Sequence, residues 1–378
     1  MLKYKKGLIG LINTWDISDG AITMNKINAE LLSKMLGAGV IVVAAADTPE
    51  KLKKRADYVC TGTNTTGGDQ NTINTALSEG KAVLLLPGTY WLSGPILPGN
   101  NQMLVGSGWN TVIKLRDNHN ADVFLILVDG KSGVIIRDLV VDGNKDNQSI
   151  GGVRGIHFNA VEYSAVLYCK VLNTRNGFNG IGLYNGSRYN IILGNICIGN
   201  DWNGINLNNC SKNIIVGNIV MGSVQNGIMN HTLSNHNVIV GNLCENNGYY
   251  GIEIRSSGYC VVKGNIVVGN QRHGIYLGGG ASNNIVSNNM LFGNGVSNAN
   301  TYDNILIEGN YNSIFNNVCR HDNVTRYGIR ISSSSYNNNV IHGNDLYASG
   351  LSGDLYDAGT NTRRRDNIGN DGNWLTDA

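Results

Sequence analysis

Two histidines, His231 and His273, stand 42 residues apart, with Arg255 between them and Arg272 directly before the second. A neutral imidazole can take a proton, and a guanidinium can hold a carboxylate through two parallel hydrogen bonds. Together they suit removal of a proton beside a carboxylate: the base takes it, and the cation stabilises the enolate-like charge that develops. His231, His273, Arg255 and Arg272 are therefore the candidate catalytic set. Tyr184, Trp202, Tyr249, Tyr250 and Tyr276 crowd the same stretch and offer faces on which a sugar ring can lie. With Asn208, Asn226 and Glu253 they form the candidate substrate-binding set, and the mixture of aromatic and cationic groups suits an acidic polysaccharide.

Residues so scattered need a regular scaffold to gather them. Gly-Ile pairs begin at Gly155, Gly180, Gly204, Gly227, Gly251 and Gly274, spaced 23 to 25 residues apart, and again at Gly328 after 54 residues. The long gap reads as two turns with an insertion around Gly295 to Asp303. Gly-Asn pairs at Gly194, Gly217, Gly241 and Gly264 keep the same period in a second phase. Each period divides into three short alternating stretches separated by Gly, Asn and Ser turns. One such coil cannot bury its own inward face, so the coils must stack. The fold predicted is all-β: a right-handed parallel β-helix with three strands per coil.

With the Ile of each Gly-Ile pair pointing inward, strand alternation sends the next residue and the one two further along outward. Two columns follow. One holds His157, Gly182, Asn206, Met229, Glu253 and Tyr276; the other holds Asn159, Tyr184, Asn208, His231, Arg255 and Gly278. Trp202, Tyr249, Tyr250 and Arg272 fall at the corner before each Gly, which brings them to the same patch. The repeated Asn are expected to form ladders between coils. Cys197, Val220, Cys244 and Val267 recur at equivalent positions, so Cys is read here as a small core hydrophobe.

Composition narrows the function classes. The 378 residues are 42% hydrophobic and 15% charged, enough for a sizeable core, and 50 Gly against 4 Pro suit short strands joined by tight turns. A net charge of +2 argues against nucleic acid as a partner. Seven cysteines with no paired metal spacing imply neither a disulfide framework nor a metal cluster. No cofactor is required by the chemistry above; calcium stays open, since carbonyls and carboxylates could bind it. Glu253 is read as the one outward strand acid near the patch, with Asp201 at a corner two coils away, so the flanking carboxylates of a glycoside hydrolase are not expected. The apolar run Gly7 to Ile12 is too short for an export signal or a membrane span, so no membrane partner is expected. Action outside a cell, or on a virion, would then follow lysis.

The first 150 residues lack the repeat. Helical periodicity runs from Met24 to Met35, Val40 to Val43 reads as a buried strand, and Thr48 reads as the cap of a short charged helix ending near Arg55. A further helix from Gln70 to Ser78 precedes a strand from Ala82 to Tyr90. The organisation expected is an α/β region at 1–60, the β-helix with its capping helix at 61–350, and a cap or tail at 351–378. The helix followed by Pro87-Gly88-Thr89-Tyr90 resembles the start of pectate-lyase-like β-helices. Ala56-Asp57-Tyr58-Val59-Cys60-Thr61-Gly62 resembles the entry region of phage and prophage appendage proteins, which makes a homotrimer the assembly to consider.

A further resemblance sharpens the chemistry. Met229-Asn230-His231-Thr232 and Gln271-Arg272-His273-Gly274 are similar to the Asp-Pro-His-Glu and Asp-Arg-His-Gly motifs of mannuronan C-5 epimerases, within the wider family of uronan lyases and epimerases. The 42-residue separation of the two His also resembles that family's spacing, and the likeness covers about residues 150 to 300. It implies a polyuronate substrate and C-5 proton abstraction, with epimerisation or lysis as the outcome. The chain departs from the family at three places: Met229 replaces the motif's first Asp, Asn226 replaces a Tyr, and Arg255 stands where an acid is expected. A noncatalytic, phage-type glycan-binding or structural spike is the alternative.

Overall fold

The computed structural model describes residues 39–369. Three parallel sheets run its length: sheet A of 14 strands, and sheets B and C of 10 strands each. A single coil places Ile191–Leu193 in A, Ile196–Ile198 in B and Ile205–Asn208 in C, then steps up to the next level. The register in C is the one the Gly-Ile pairs predict, with Ile181, Ile205, Ile228, Ile252 and Ile275 paired in series. All five are fully buried. Stacked levels lie only about 4.8 Å apart, so the branched side chains of one inward column touch their neighbours continuously. In sheet B the column Cys197, Val220, Cys244, Val267 also points inward. Burial pushes the Cys197 and Cys244 thiols far above the range in which a thiolate forms, as the hydrophobe reading requires.

The 54-residue gap does hold two turns. Ile305–Ile307 pairs with Ile275 on one side and Ile329 on the other, with Asn304 standing where other coils carry Gly.

Asparagine closes the turns between A and B. From Asn195 through Asn218, Asn242, Asn265, Asn289, Asn317 and Asn344 to Asn367, each side-chain amide donates to the carbonyl of the next at 2.9–3.0 Å. Asn265 Oδ1 accepts from both the backbone and the side chain of Asn242, while its Nδ2 donates to the Ile239 carbonyl and to Asn289. Asn265→Ala strands several of these buried groups at about 1–3 kcal/mol each. The variant is expected to lose ~3 kcal/mol or more in urea unfolding followed by circular dichroism. A loss under about 0.5 kcal/mol, typical of a surface change, would contradict the ladder's role.

The stack runs past both expected limits. Val40–Ala44 pairs with Ala82–Leu85 inside sheet A, so coil structure begins well before residue 61. Gly353–Asp357 and Arg363–Arg365 extend sheets C and A beyond residue 350. In both cases a strand edge was available to pair, and backbone pairing overrode the weaker local pattern. The helix Asp69–Glu79 covers the open end, burying Ile73, Ala76 and Leu77. The Asp69 carboxylate ties that helix to the first coil by accepting from the backbone N–H groups of Gly62 (2.6 Å) and Trp91 (2.8 Å). Thr48 is not a helix cap. The short helix is Glu50–Lys53 with Pro49 at its N-cap, and the Thr48 hydroxyl instead accepts from the Ala45 N–H and donates to the Pro87 carbonyl. The predicted helix from Met24 to Met35 lies outside the described residues.

Candidate functional site

Parallel register on sheet C sets Asn206, Met229, Glu253 and Tyr276 side by side, with Asn208, His231, Arg255 and Gly278 in the adjoining column. The corners between B and C bring Trp202, Tyr249, Tyr250 and Arg272 against the same strands, enclosing a cleft of about 570 Å³. Ten of the twelve expected site residues line it: His231, Arg255, Arg272, Tyr184, Trp202, Asn208, Asn226, Tyr249, Tyr250 and Glu253.

Glu253 is the floor. Although its strand position faces outward, the side chains around it leave it 1% exposed. Arg255 Nε lies 2.8 Å from one carboxylate oxygen, and Asn226 donates to the other at 2.8 Å. Burial raises the Glu253 pKa, with Arg255 and Asn226 acting against it. His231 neighbours Arg255 across the strand pair, and its Nδ1 lies 2.9 Å from the Thr232 hydroxyl. Burial, then the Arg255 charge, lowers its pKa, so the imidazole is neutral near pH 7 and able to accept a proton. On the wall, the Arg272 guanidinium lies 3.6 Å from the Tyr249 ring centroid, a cation–π contact that holds it. Trp202 is 42% exposed, the form of an aromatic face available to a ligand. At the N-terminal end, Tyr184 stacks on His157 at 4.4 Å and accepts from Asn179 at 2.6 Å.

The structure does not bring His273 or Tyr276 to the lining. His273 is 6% exposed, its Nδ1 accepts from the Asp303 backbone N–H at 2.9 Å, and its ring packs on Tyr250 and edge-on to Tyr302. The insertion ending at Asp303 covers it, and the sequence repeat carries no sign of how that insertion folds. Asp303 is itself buried and held by Arg326 through two bonds of 2.8 Å. Tyr276 donates to Glu308 at 2.6 Å, and Glu308 also accepts from Ser332. Glu308 follows a strand without the Gly-Ile mark, which hid it, so Glu253 is not the one acid on this face. Phe178 and Asn179 also line the cleft. They precede Gly180 as Trp202 and Asn203 precede Gly204, and the same corner rule could have found them.

Burial and the charges of Arg326, Arg330 and Arg272 push the His273 pKa down to about 3, against an opposing backbone contribution from Asp303. Its folded pKa thus lies below the unfolded value, and the unfolded chain takes up the proton first. Stability carried by neutral His273 is intact above about 6.5 and is lost as pH falls toward about 3. The raised pKa of the Asp303 carboxyl works in the opposite sense. A His273→Gln variant, which keeps an acceptor for the Asp303 N–H, is expected to show a flatter fall of thermal midpoint over that window. An unchanged slope would mean that other groups govern acid sensitivity.

Comparison with known proteins adds the context of the fold. A family profile described as "Right handed beta helix region" matches residues 124–291, and one described as "Periplasmic copper-binding protein (NosD)" matches residues 231–370. No curated protein sequence matches the chain. Among solved structures, the A-module of the Azotobacter vinelandii mannuronan C-5 epimerase AlgE6 superposes with a TM-score of 0.62 at 20% identity, covering 81% of this chain and 97% of that one. The periplasmic alginate epimerase AlgG gives 0.53 at 16% identity, covering 75% and 78%. The Dettilon tailspike protein gives 0.58 at 17% identity, covering 84% and 68%. Among the described residues there is no group of three or more His, Cys, Asp or Glu placed to hold a metal ion, and the cysteines are buried. No helix among the described residues is long and apolar enough to cross a membrane. By register, family profile and structural neighbours alike, this chain is a right-handed parallel β-helix, the fold it shares with alginate epimerases and a phage tailspike.

Proposed function

We propose that the cleft on sheet C takes a polyuronate and removes the C-5 proton of one sugar, with His231 as the base. The observation that carries this reading is the juxtaposition of a neutral imidazole and a guanidinium on adjacent strands, His231 beside Arg255, within an aromatic-walled cleft. In the reaction the C5–H bond breaks, its proton passes to His231, and its electron pair delocalises into the carboxylate, whose charge Arg255 and Arg272 stabilise. A proton returned from the opposite face inverts C-5. Departure of the 4-O substituent leaves a C4=C5 double bond instead. The alginate epimerases among the structural neighbours support the substrate class.

One observation favours a second reading. Arg255 already neutralises Glu253 at 2.8 Å, which weakens its claim on a substrate carboxylate and suits a cleft that binds glycan without turnover, as a tailspike-like spike could. The experiment that separates them incubates the protein with polymannuronate, polygalacturonate and glycosaminoglycans in D2O. Deuterium at C-5, an inverted C-5 signal in proton NMR, or ultraviolet absorbance from unsaturated ends supports catalysis. Saturable binding with none of the three supports the spike, and neither binding nor turnover of any uronan removes both.

A further inference from the structure

Each coil turns three corners, and each corner sets one residue in the left-handed region of backbone space. Between sheets A and B, successive coils fill that position with Gly194, Gly217, Gly241, Gly264, Asn288 and Asn316, at φ 55–64°. Between B and C they use Gly199, Gly222, Asn246, Gly269 and Gly293, at φ 52–63°. These are the residue types that such a φ favours. The corner between C and A departs from the rule, with Tyr163, Tyr189, Lys212, His236, Tyr259 and Tyr311 at φ 50–59° and Asn283 between the last two. Bulky side chains are strained in this conformation, so the turn itself did not select them.

Strand register stacks these residues one per coil in a single column. Packing between coils offsets part of the strain. Tyr163 lies parallel to Tyr189 at 5.0 Å, His236 lies parallel to Tyr259 at 5.1 Å, and Lys212 Nζ sits 5.3 Å from the Tyr189 ring centroid. Tyr311 gains no such contact, because its neighbours in the column are Asn283 and Asn338. It is 56% exposed, and Tyr259, whose partner His236 covers one side only, is 59% exposed. Strain without packing to offset it points to a ligand.

We infer that the C–A corner is a second glycan-binding site, with one pyranose seated between Tyr259 and Tyr311. The two stand two coils apart, about 9.6 Å, so a sugar midway meets each ring at about 4.8 Å, within the range of aromatic stacking. Asn283, exposed between them, offers its amide to the sugar hydroxyls. The residues preceding Tyr259, Asn283 and Tyr311 are Gly258, Ser282 and Asn310, so the rings rise from polar ground. An aromatic face in a polar surround matches a pyranose, which is apolar on its C–H face and rimmed by hydroxyls; an apolar protein surface would leave those polar groups unpaired. The single-coil step is also close to the advance of one sugar in an extended chain, so a linear glycan can continue along the column toward Lys212 and Tyr189. No charged side chain belongs to the Tyr259–Asn283–Tyr311 slot, so it recognises the sugar face and not a carboxylate. The site is separate from the cleft, whose aromatic wall stands at the B–C corner on the other edge of sheet C, and it does not rest on the chemistry proposed there.

Nitration of the full chain with tetranitromethane, read by peptide mass spectrometry, tests the slot directly. The hexasaccharides of β-1,4-mannan and of mannuronan should both protect Tyr259 and Tyr311. Tyr168, 47% exposed at the A–B corner, should stay reactive. Protection should persist at roughly 1 M salt, where charge pairs are screened within about 3 Å. Tyr259→Asn should weaken the protection of Tyr311 by about tenfold or more, while Arg255→Ala, a change in the cleft, should leave it unaltered. Because Asn suits the left-handed turn, Tyr311→Asn should keep or raise the thermal midpoint, which a merely structural tyrosine would not allow. Equal nitration with and without the neutral hexasaccharide, loss of protection in Arg255→Ala, or a lowered midpoint in Tyr311→Asn would overturn the inference.

Discussion

His231→Gln is expected to lower uronan turnover by about 10²–10⁴-fold, the contribution typical of a positioned general base, while leaving circular dichroism and thermal midpoint nearly unchanged. His231 lies at an outward position on the strand Ile228–His231, so replacing it opens no cavity in the coil interior. A glutamine can keep the contact with Thr232 but cannot take the C-5 proton. The lowered pKa of the imidazole adds a second signature. A base works once deprotonated, so turnover should rise with pH along an acidic limb centred below the ordinary histidine value. A variant with full turnover, or a wild-type acidic limb centred above that value, would remove His231 from the role of base.

Arg255→Ala should act on both catalysis and stability, and the two effects can be separated. Loss of a preorganised cation beside the developing charge lowers turnover by about 10²–10³-fold. The same change leaves Glu253, 1% exposed, without its ion partner. Breaking a fully buried pair costs about 3–5 kcal/mol; here the Arg255 side chain is 47% exposed, and about 1–3 kcal/mol is expected after discounting for solvent. The Glu253 carboxyl, already raised, should rise further and hold its proton. Arg255→Ala/Glu253→Gln should therefore recover stability without recovering turnover. Arg330→Ala is the control: Arg330 lies in the same outward column as Glu253 but three strands on, beside Asp303 at 4.0 Å. Equal losses in the two arginine variants, or neutral glycans processed as fast as uronans, would show that carboxylate recognition at this cleft is not the basis of turnover.

The strand alternation that places His231 beside Arg255 was readable because it depends on position within a repeat alone. Once Ile228 and Ile252 are inward, the third residue after each, His231 and Arg255, has no choice of side. The Asn ladders and the cysteine column were readable for the same reason, since equivalent positions in stacked coils must meet. Twelve site residues could be named in this way, and ten reach one cleft.

What the repeat could not carry lay wherever it was broken or where side chains bend away from their strand. The insertion before Asp303 closes over His273 and turns a motif histidine into a packed one, an outcome set by long-range contacts with Arg326 and Tyr302. The strand Ile305–Ile307 lost its Gly mark, and with it the clue to Glu308. Burial of Glu253 also needed three dimensions, since an outward slot predicts exposure, and only the packed neighbours around it decide otherwise. The sequence by itself determined the coil, its register and the side each strand residue faces, because these follow from periodicity. Tertiary structure decided which of those side chains are reachable, charged or already partnered, because burial and pairing depend on groups that lie far apart along the chain.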